Sequence, residues 1–251
     1  MDIKIIIGLF TGISFIIPPS CQPPADYYQQ VITDGVCQKE EYTPECTDYL
    51  RAMIPFDSSW EQATETQKNT IAIAYYAALF APFGNIDTMA DGTALQKGHL
   101  YALGQDGPAR DDNRNRVIFN RLMNTIQTLS YDNSYREDLQ LARYDFVPGN
   151  RVIVNSYFFE FADIDAWVVH LSTLLHETEH ARGTAHVPCI GISEYTWCDM
   201  DVSGAYGFEA VVLSMMLQAN ADPSNQFFLT TENRDSIYRT ILMKLSHVME
   251  R

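Results

Sequence analysis

Three of the six histidines in this chain fall in one short stretch, His176-Glu177-Thr178-Glu179-His180-Ala181-Arg182-Gly183-Thr184-Ala185-His186. On a helix, His176 and His180 are one turn apart, so their rings leave the same face. Two imidazoles at that spacing can grip one Zn²⁺. Glu177 stands one position round and is not needed as a ligand, which leaves its carboxylate free to take a proton from water. Gly183 readily adopts the left-handed conformation that often ends a helix, so the chain can turn there and bring His186 back. Three neutral nitrogens then leave a fourth coordination position open, as catalytic zinc sites require and structural sites do not.

The motif needs a helix to carry it. Ile164, Trp167, Val168, Leu171, Leu174 and Leu175 form a continuous apolar stripe at helical spacing. Asp163 or Asp165 can cap its start. His176 and His180 fall roughly opposite the stripe, so one face should anchor the helix while the other presents imidazoles to a cleft. His170 falls on another side and is not counted as a ligand. A strand rich in β-branched residues is expected at 151–155, after the turn Pro148-Gly149-Asn150.

At His176 to His186 the chain resembles the zincin metallopeptidases, and within them the metzincin branch, whose signature is H-E-x-x-H-x-x-G-x-x-H. The resemblance is confined to this motif and its near surroundings. It implies zinc held by His176, His180 and His186, Glu177 as general base, and hydrolysis of peptide bonds in a peptide or protein substrate. It also implies that the strand before the metal helix lines the cleft and pairs with extended substrate. Metzincins carry a methionine turn beneath the metal. Met200 is the nearest candidate, although Cys198-Asp199-Met200-Asp201 departs from the family's pattern. In the thermolysin-like branch a later glutamate completes the site, which makes Glu209 the alternative third ligand. Tyr195 and Tyr206 are candidates to stabilise an oxyanion. A second reading is a non-catalytic zinc-binding surface module that keeps the fold.

The 251 residues suit one domain of ordinary size with a leader. A hydrophobic content of 46% supports a sizeable core, and 20% charged residues is ordinary for a soluble protein. A net charge of −15 argues against nucleic acid and against electrostatic docking on anionic lipid. Residues 1–20 have the build of an export signal: Lys4, an apolar run from Ile5 to Ile17 too short to span a bilayer, then Pro18-Pro19-Ser20-Cys21. The segment resembles a bacterial lipoprotein signal with lipid on Cys21, departing from it in Pro18. Ordinary cleavage near Ser20 is the alternative. Membrane association is thus expected only through a lipid anchor, with the protein facing the periplasm or the cell exterior.

Five cysteines is an odd number, and assigning one to lipidation leaves Cys37, Cys46, Cys189 and Cys198. They fall in two pairs of equal separation, read as disulfides Cys37–Cys46 and Cys189–Cys198 in an oxidising compartment, although four cysteines allow three pairings. Closing such loops contributes roughly 2–3 kcal/mol each.

The remaining sequence divides by periodicity. Residues 21–57 read as a tether and disulfide-pinned lead-in, and 58–251 as the metal-binding domain. Ser59 with Gln62 has the form of a capping box before a helix running to about Phe80. Residues 85–110, with His99, read as loop. Helices are expected at about 111–129, from Gly204 through Leu217, and at about 232–251. The fold class expected is α+β and mainly helical: a zincin-like domain with a small sheet and a central metal-binding helix.

Overall fold

Thr64 supplies both halves of a reciprocal cap: its hydroxyl accepts from the Gln67 amide, and the Gln67 side chain accepts from the Thr64 amide. Helix α3 (Glu65–Phe80) starts there, not at Ser59, which lies in a short 3-10 turn (Ser58–Gln62) capped by Asp57. The computed structural model describes residues 25–84, 111–133, 142–145, 149–160, 166–189, 197–201 and 203–250. Cys21, His99 and Tyr195, with both expected caps of the metal helix, lie outside the described residues.

The lead-in segment holds two helices, α1 (Tyr27–Asp34) and α2 (Pro44–Met53). Each has a local reason to begin where it does: Asp26 accepts from the Gln29 amide, and Thr43 accepts from Cys46 with proline at the next position. The Cys37–Cys46 disulfide ties the two together, with Cα atoms 4.7 Å apart. Val31, Cys46 and Leu50 are fully buried and belong to the main core.

Helix α4 (Asp111–Thr125) stops short of the expected limit. Leu129 instead lies in strand β1 (Thr128–Asp132), because the apolar residues at 129 and 131 serve a buried strand once it has a partner. That partner is β3 (Arg151–Asn155), parallel to it with Leu129 opposite Val152. Strand β2 (Ala142–Asp145) runs antiparallel on the other side of β3, giving the order β1-β3-β2. The strand at 151–155 is therefore central and paired on both sides, and among the described residues β2 is an edge strand.

Helix α5 (Ala166–His180) carries the histidine motif. Val168, Leu171, Leu174 and Leu175 are fully buried, so truncating any of these leucines to alanine should cost about 2–5 kcal/mol. The helix is enclosed on more than its apolar stripe. It contacts α3, α4, strand β2 and α6 (Ala205–Ala219), and Thr178 and Glu179 are also fully buried. Burying Glu179 requires a partner. Arg121 of α4 supplies it, pairing with Glu179, bonding Thr178 Oγ1 through Nε at 2.8 Å and lying 4.0 Å over the Phe208 ring. One guanidinium thus joins α4, α5 and α6.

After Gly183, strand β4 (Val187–Pro188) pairs antiparallel with β5 (Trp197–Asp201), which pairs parallel with β6 (Val248–Glu250). The Cys189–Cys198 disulfide braces this small sheet, with Cα atoms 5.0 Å apart. Helix α7 (Thr231–Ser246) packs along α6 and ends before β6, so the last expected helix is shorter than its periodicity allowed. The class is α+β, mainly helical, with two three-stranded sheets among the described residues. No helix of the described residues is long and apolar enough to cross a membrane. Both disulfides are those expected of a chain that matures in an oxidising compartment.

Candidate metal centre

His176 and His180 project from the last turn of α5, and Gly183 turns the chain there with φ of +90°. A Cβ at Gly183 would meet nothing within 4 Å, so the glycine is required by its backbone conformation and not by space. Its amide bonds the His180 carbonyl at 3.0 Å, and the chain then returns His186 to the other two rings. Ring centroids lie 5.0 Å apart for His176 and His180, 5.3 Å for His176 and His186, and 4.6 Å for His180 and His186. One ligand atom from each lies within 4.8 Å of the others.

The orientation of the rings decides what the cluster can do. Each Nδ1 faces an acceptor that has no proton to give. His176 donates to Glu209 Oε2 at 3.0 Å, His180 to the Thr184 carbonyl at 2.8 Å and His186 to Asp199 Oδ1 at 2.8 Å. With its proton fixed on Nδ1, each imidazole keeps an unprotonated Nε2. Burial pushes the pKa of His180 down to about 4, helped by His176, and burial lowers that of His176 as well. Both rings are neutral at pH 7, the form that binds metal. Three imidazoles, each already anchored on its far side, fit a metal ion, and the group can hold one.

The acceptors are themselves supported. Asp199 Oδ2 accepts from the backbone amides of Tyr206 and Gly207 at 2.6 and 3.2 Å, so this carboxylate also caps the start of α6. Gly204 makes room for it, since a Cβ there would sit 2.6 Å from Asp199 Cβ. Glu209 is buried, which pushes its carboxyl up. The Lys244 ammonium at 2.7 Å and the His176 bond more than offset this and hold it at about 2. Glu209 is thus a carboxylate behind His176 and not a member of the histidine cluster.

Glu177 is buried and lines the same cleft as the three rings. Burial first, and the Glu209 charge second, raise its carboxyl to about 8, against the pull of Lys244. A carboxyl so placed exchanges a proton readily near neutral pH. The Tyr206 ring stacks on His186 at 4.4 Å and meets His176 edge-on at 5.0 Å. Burial and the nearby carboxylates raise its phenol to about 12, so it remains a hydrogen-bond donor. The cleft measures about 580 Å³. Edge strand β2 forms one wall, and the half-exposed Trp197 and Met243 add an apolar rim.

Some expected residues stand elsewhere. Met200 is 56% exposed and provides no buried floor beneath the histidines. The central strand β3 has no free edge, and β2 takes the place beside the cleft. His170 is buried apart from the cluster, stacked on Phe158 and bonded through Nε2 to the Phe158 carbonyl at 2.8 Å.

Three residues of the site went unread in the sequence. In the sequence Asp199 stands out only as a neighbour of Met200. Lys244 carried a usable signal: it falls on the apolar stripe of Ile237, Ile241 and Leu245, and a lysine at a core position needs an anionic partner. Arg143 lines the cleft from β2 and carried no signal. Compared with protein-family models, curated proteins and solved structures, the chain matches none.

Proposed function

We propose that the protein is an exported zinc-dependent metallopeptidase of zincin type. The carrying observation is that three histidines with anchored Nδ1 atoms and a buried carboxyl, Glu177, line one cleft. His176, His180 and His186 would hold the zinc. Bound there, zinc supplies a Lewis acid that polarises a carbonyl and acidifies water. Glu177 accepts the proton of the attacking water and returns it to the leaving amine as the C–N bond breaks. Tyr206 donates its phenolic proton in a hydrogen bond to the carbonyl oxygen as that oxygen gains charge. Strand β2 offers the backbone of a sheet edge to an extended peptide, and Trp197 and Met243 offer apolar contact.

The test is Glu177→Gln in the zinc-loaded protein. The variant keeps the shape of the side chain but removes the base. Zinc content should be unchanged while hydrolysis of a quenched peptide library falls about 10²–10⁴-fold. An equal rate in the variant rejects the reading. The same centre would serve a non-catalytic, zinc-dependent recognition module, for which the wild-type protein would bind peptides and cleave none. Attachment to a membrane through lipid on Cys21 belongs to the same proposal.

A further inference from the structure

Among the described residues that line the cleft, Arg143 alone combines a permanent positive charge with a side chain that has no partner among the described residues. Lys244 also lines it, but its ammonium is committed to Glu209 at 2.7 Å. Arg143 lies on β2 opposite Ile153, half-buried, and makes no hydrogen bond or ion pair among the described residues. Its Nε–H is buried without an acceptor. A buried donor left unpaired is costly and uncommon, and a guanidinium offers five donors in a planar fork that matches a carboxylate. On its outer side Arg143 also borders a polar depression lined by Asp132, Asp145 and Arg151. Asp145 stands opposite Arg151 and forms no ion pair with Arg143. The guanidinium therefore sits at the boundary of the cleft with donors unspent, in a chain whose net charge is −15.

We infer that Arg143 is a specificity residue that recognises a substrate carboxylate, so that the peptides taken by this cleft are acidic or are gripped by their own C-terminal carboxylate. The inference rests on the peptidase reading for the nature of the ligand. Its position on the edge strand is what makes it selective: a peptide paired along β2 would run past Arg143, and a carboxylate there would pair with the guanidinium where it borders the cleft. Both sources present the same chemistry, and a binding experiment separates them.

Three peptides of one neutral core are titrated into zinc-loaded Glu177→Gln protein, which cannot turn them over. One is amidated and uncharged, one is amidated with a single internal glutamate, and one is uncharged in sequence with a free C-terminal carboxylate. A carboxylate-bearing peptide should bind about ten- to a hundredfold more tightly than the amidated neutral one, the range expected of a hydrogen-bonded charge pair. Which of the two gains affinity identifies the source. Adding Arg143→Gln should abolish the preference, and Arg143→Lys should keep a part of it, since the charge remains without the fork. Zinc content and the thermal midpoint of each variant check that the fold is retained. Equal affinity for all three peptides, binding of none, or a preference that survives Arg143→Gln overturns the inference. Cleavage by the protein with Glu177 intact is read separately. Cleavage without charge preference rejects the role of Arg143 alone, and preferential binding without cleavage rejects the peptidase reading alone.

Discussion

Asp199 stands between His186 and the first amides of α6. One carboxylate oxygen accepts the His186 Nδ1 proton at 2.8 Å, and the other accepts from the Tyr206 and Gly207 amides. A single side chain therefore sets a ligand's orientation and the start of the helix that carries Tyr206 and Glu209 into the cleft.

Asp199→Ala should weaken zinc binding about 10–100-fold, the usual effect of losing the partner behind a ligating histidine. It should also cost roughly 1 kcal/mol through the lost helix cap. Chelator competition reads the first effect and denaturant unfolding of the metal-free protein reads the second. Gly204→Ala should give the same pattern from the opposite side, because its methyl group displaces the carboxylate.

The third ligand can be assigned by paired titration. His186→Ala removes a ring of the cluster and should nearly abolish zinc binding. Glu209→Ala removes only the acceptor behind His176, so a loss of about 10–100-fold is expected. Abolished binding in Glu209→Ala with little change in His186→Ala would place the protein with the glutamate-liganded branch.

His170 makes stability depend on pH. Burial pushes its pKa down to about 4. The unfolded value is about 6.5, so between those limits the unfolded chain binds a proton that the folded chain refuses. The contribution is intact above pH 6.5 and is lost as pH falls toward 4, by on the order of 3 kcal/mol. Unfolding curves from pH 7.5 to 4 should show this slope in the wild type and not in His170→Gln. The lowered pKa values of His176 and His180 are common to both proteins and cancel in the difference.

Anchoring is tested at Cys21. In the native host, Cys21→Ser should leave the membrane fraction and lose the mass of its acyl chains. A wild-type protein already soluble, with an unmodified Cys21, would refute the anchor.

What the sequence made legible was local. The three histidines, Glu177 and Gly183 sit within one turn and a half of helix and its exit, where spacing translates directly into geometry. The two disulfides likewise join cysteines close in sequence. The supporting residues were hidden because Asp199, Lys244 and Arg143 meet the site only through tertiary packing, and an isolated charged residue has no period. Leu129 shows the same limit: it suits both a helix of period 3.6 and a buried strand, and only β3 decides between them. Glu209 was visible as an acid in an apolar helix, and its role depended on Lys244, which is contributed by a different helix.

The order in which the chain supplies the site also has a consequence for its biogenesis. All three metal-binding rings emerge together, whereas the carboxylates and the ammonium behind them arrive later, from β5, α6 and finally α7. During synthesis the chain thus passes through a stage in which the His176 and His186 rings are present without their carboxylate acceptors, while His180 already has the Thr184 carbonyl. The Lys244 ammonium meets Glu209 only once α7 has been made. Metal retention should therefore track the completion of folding.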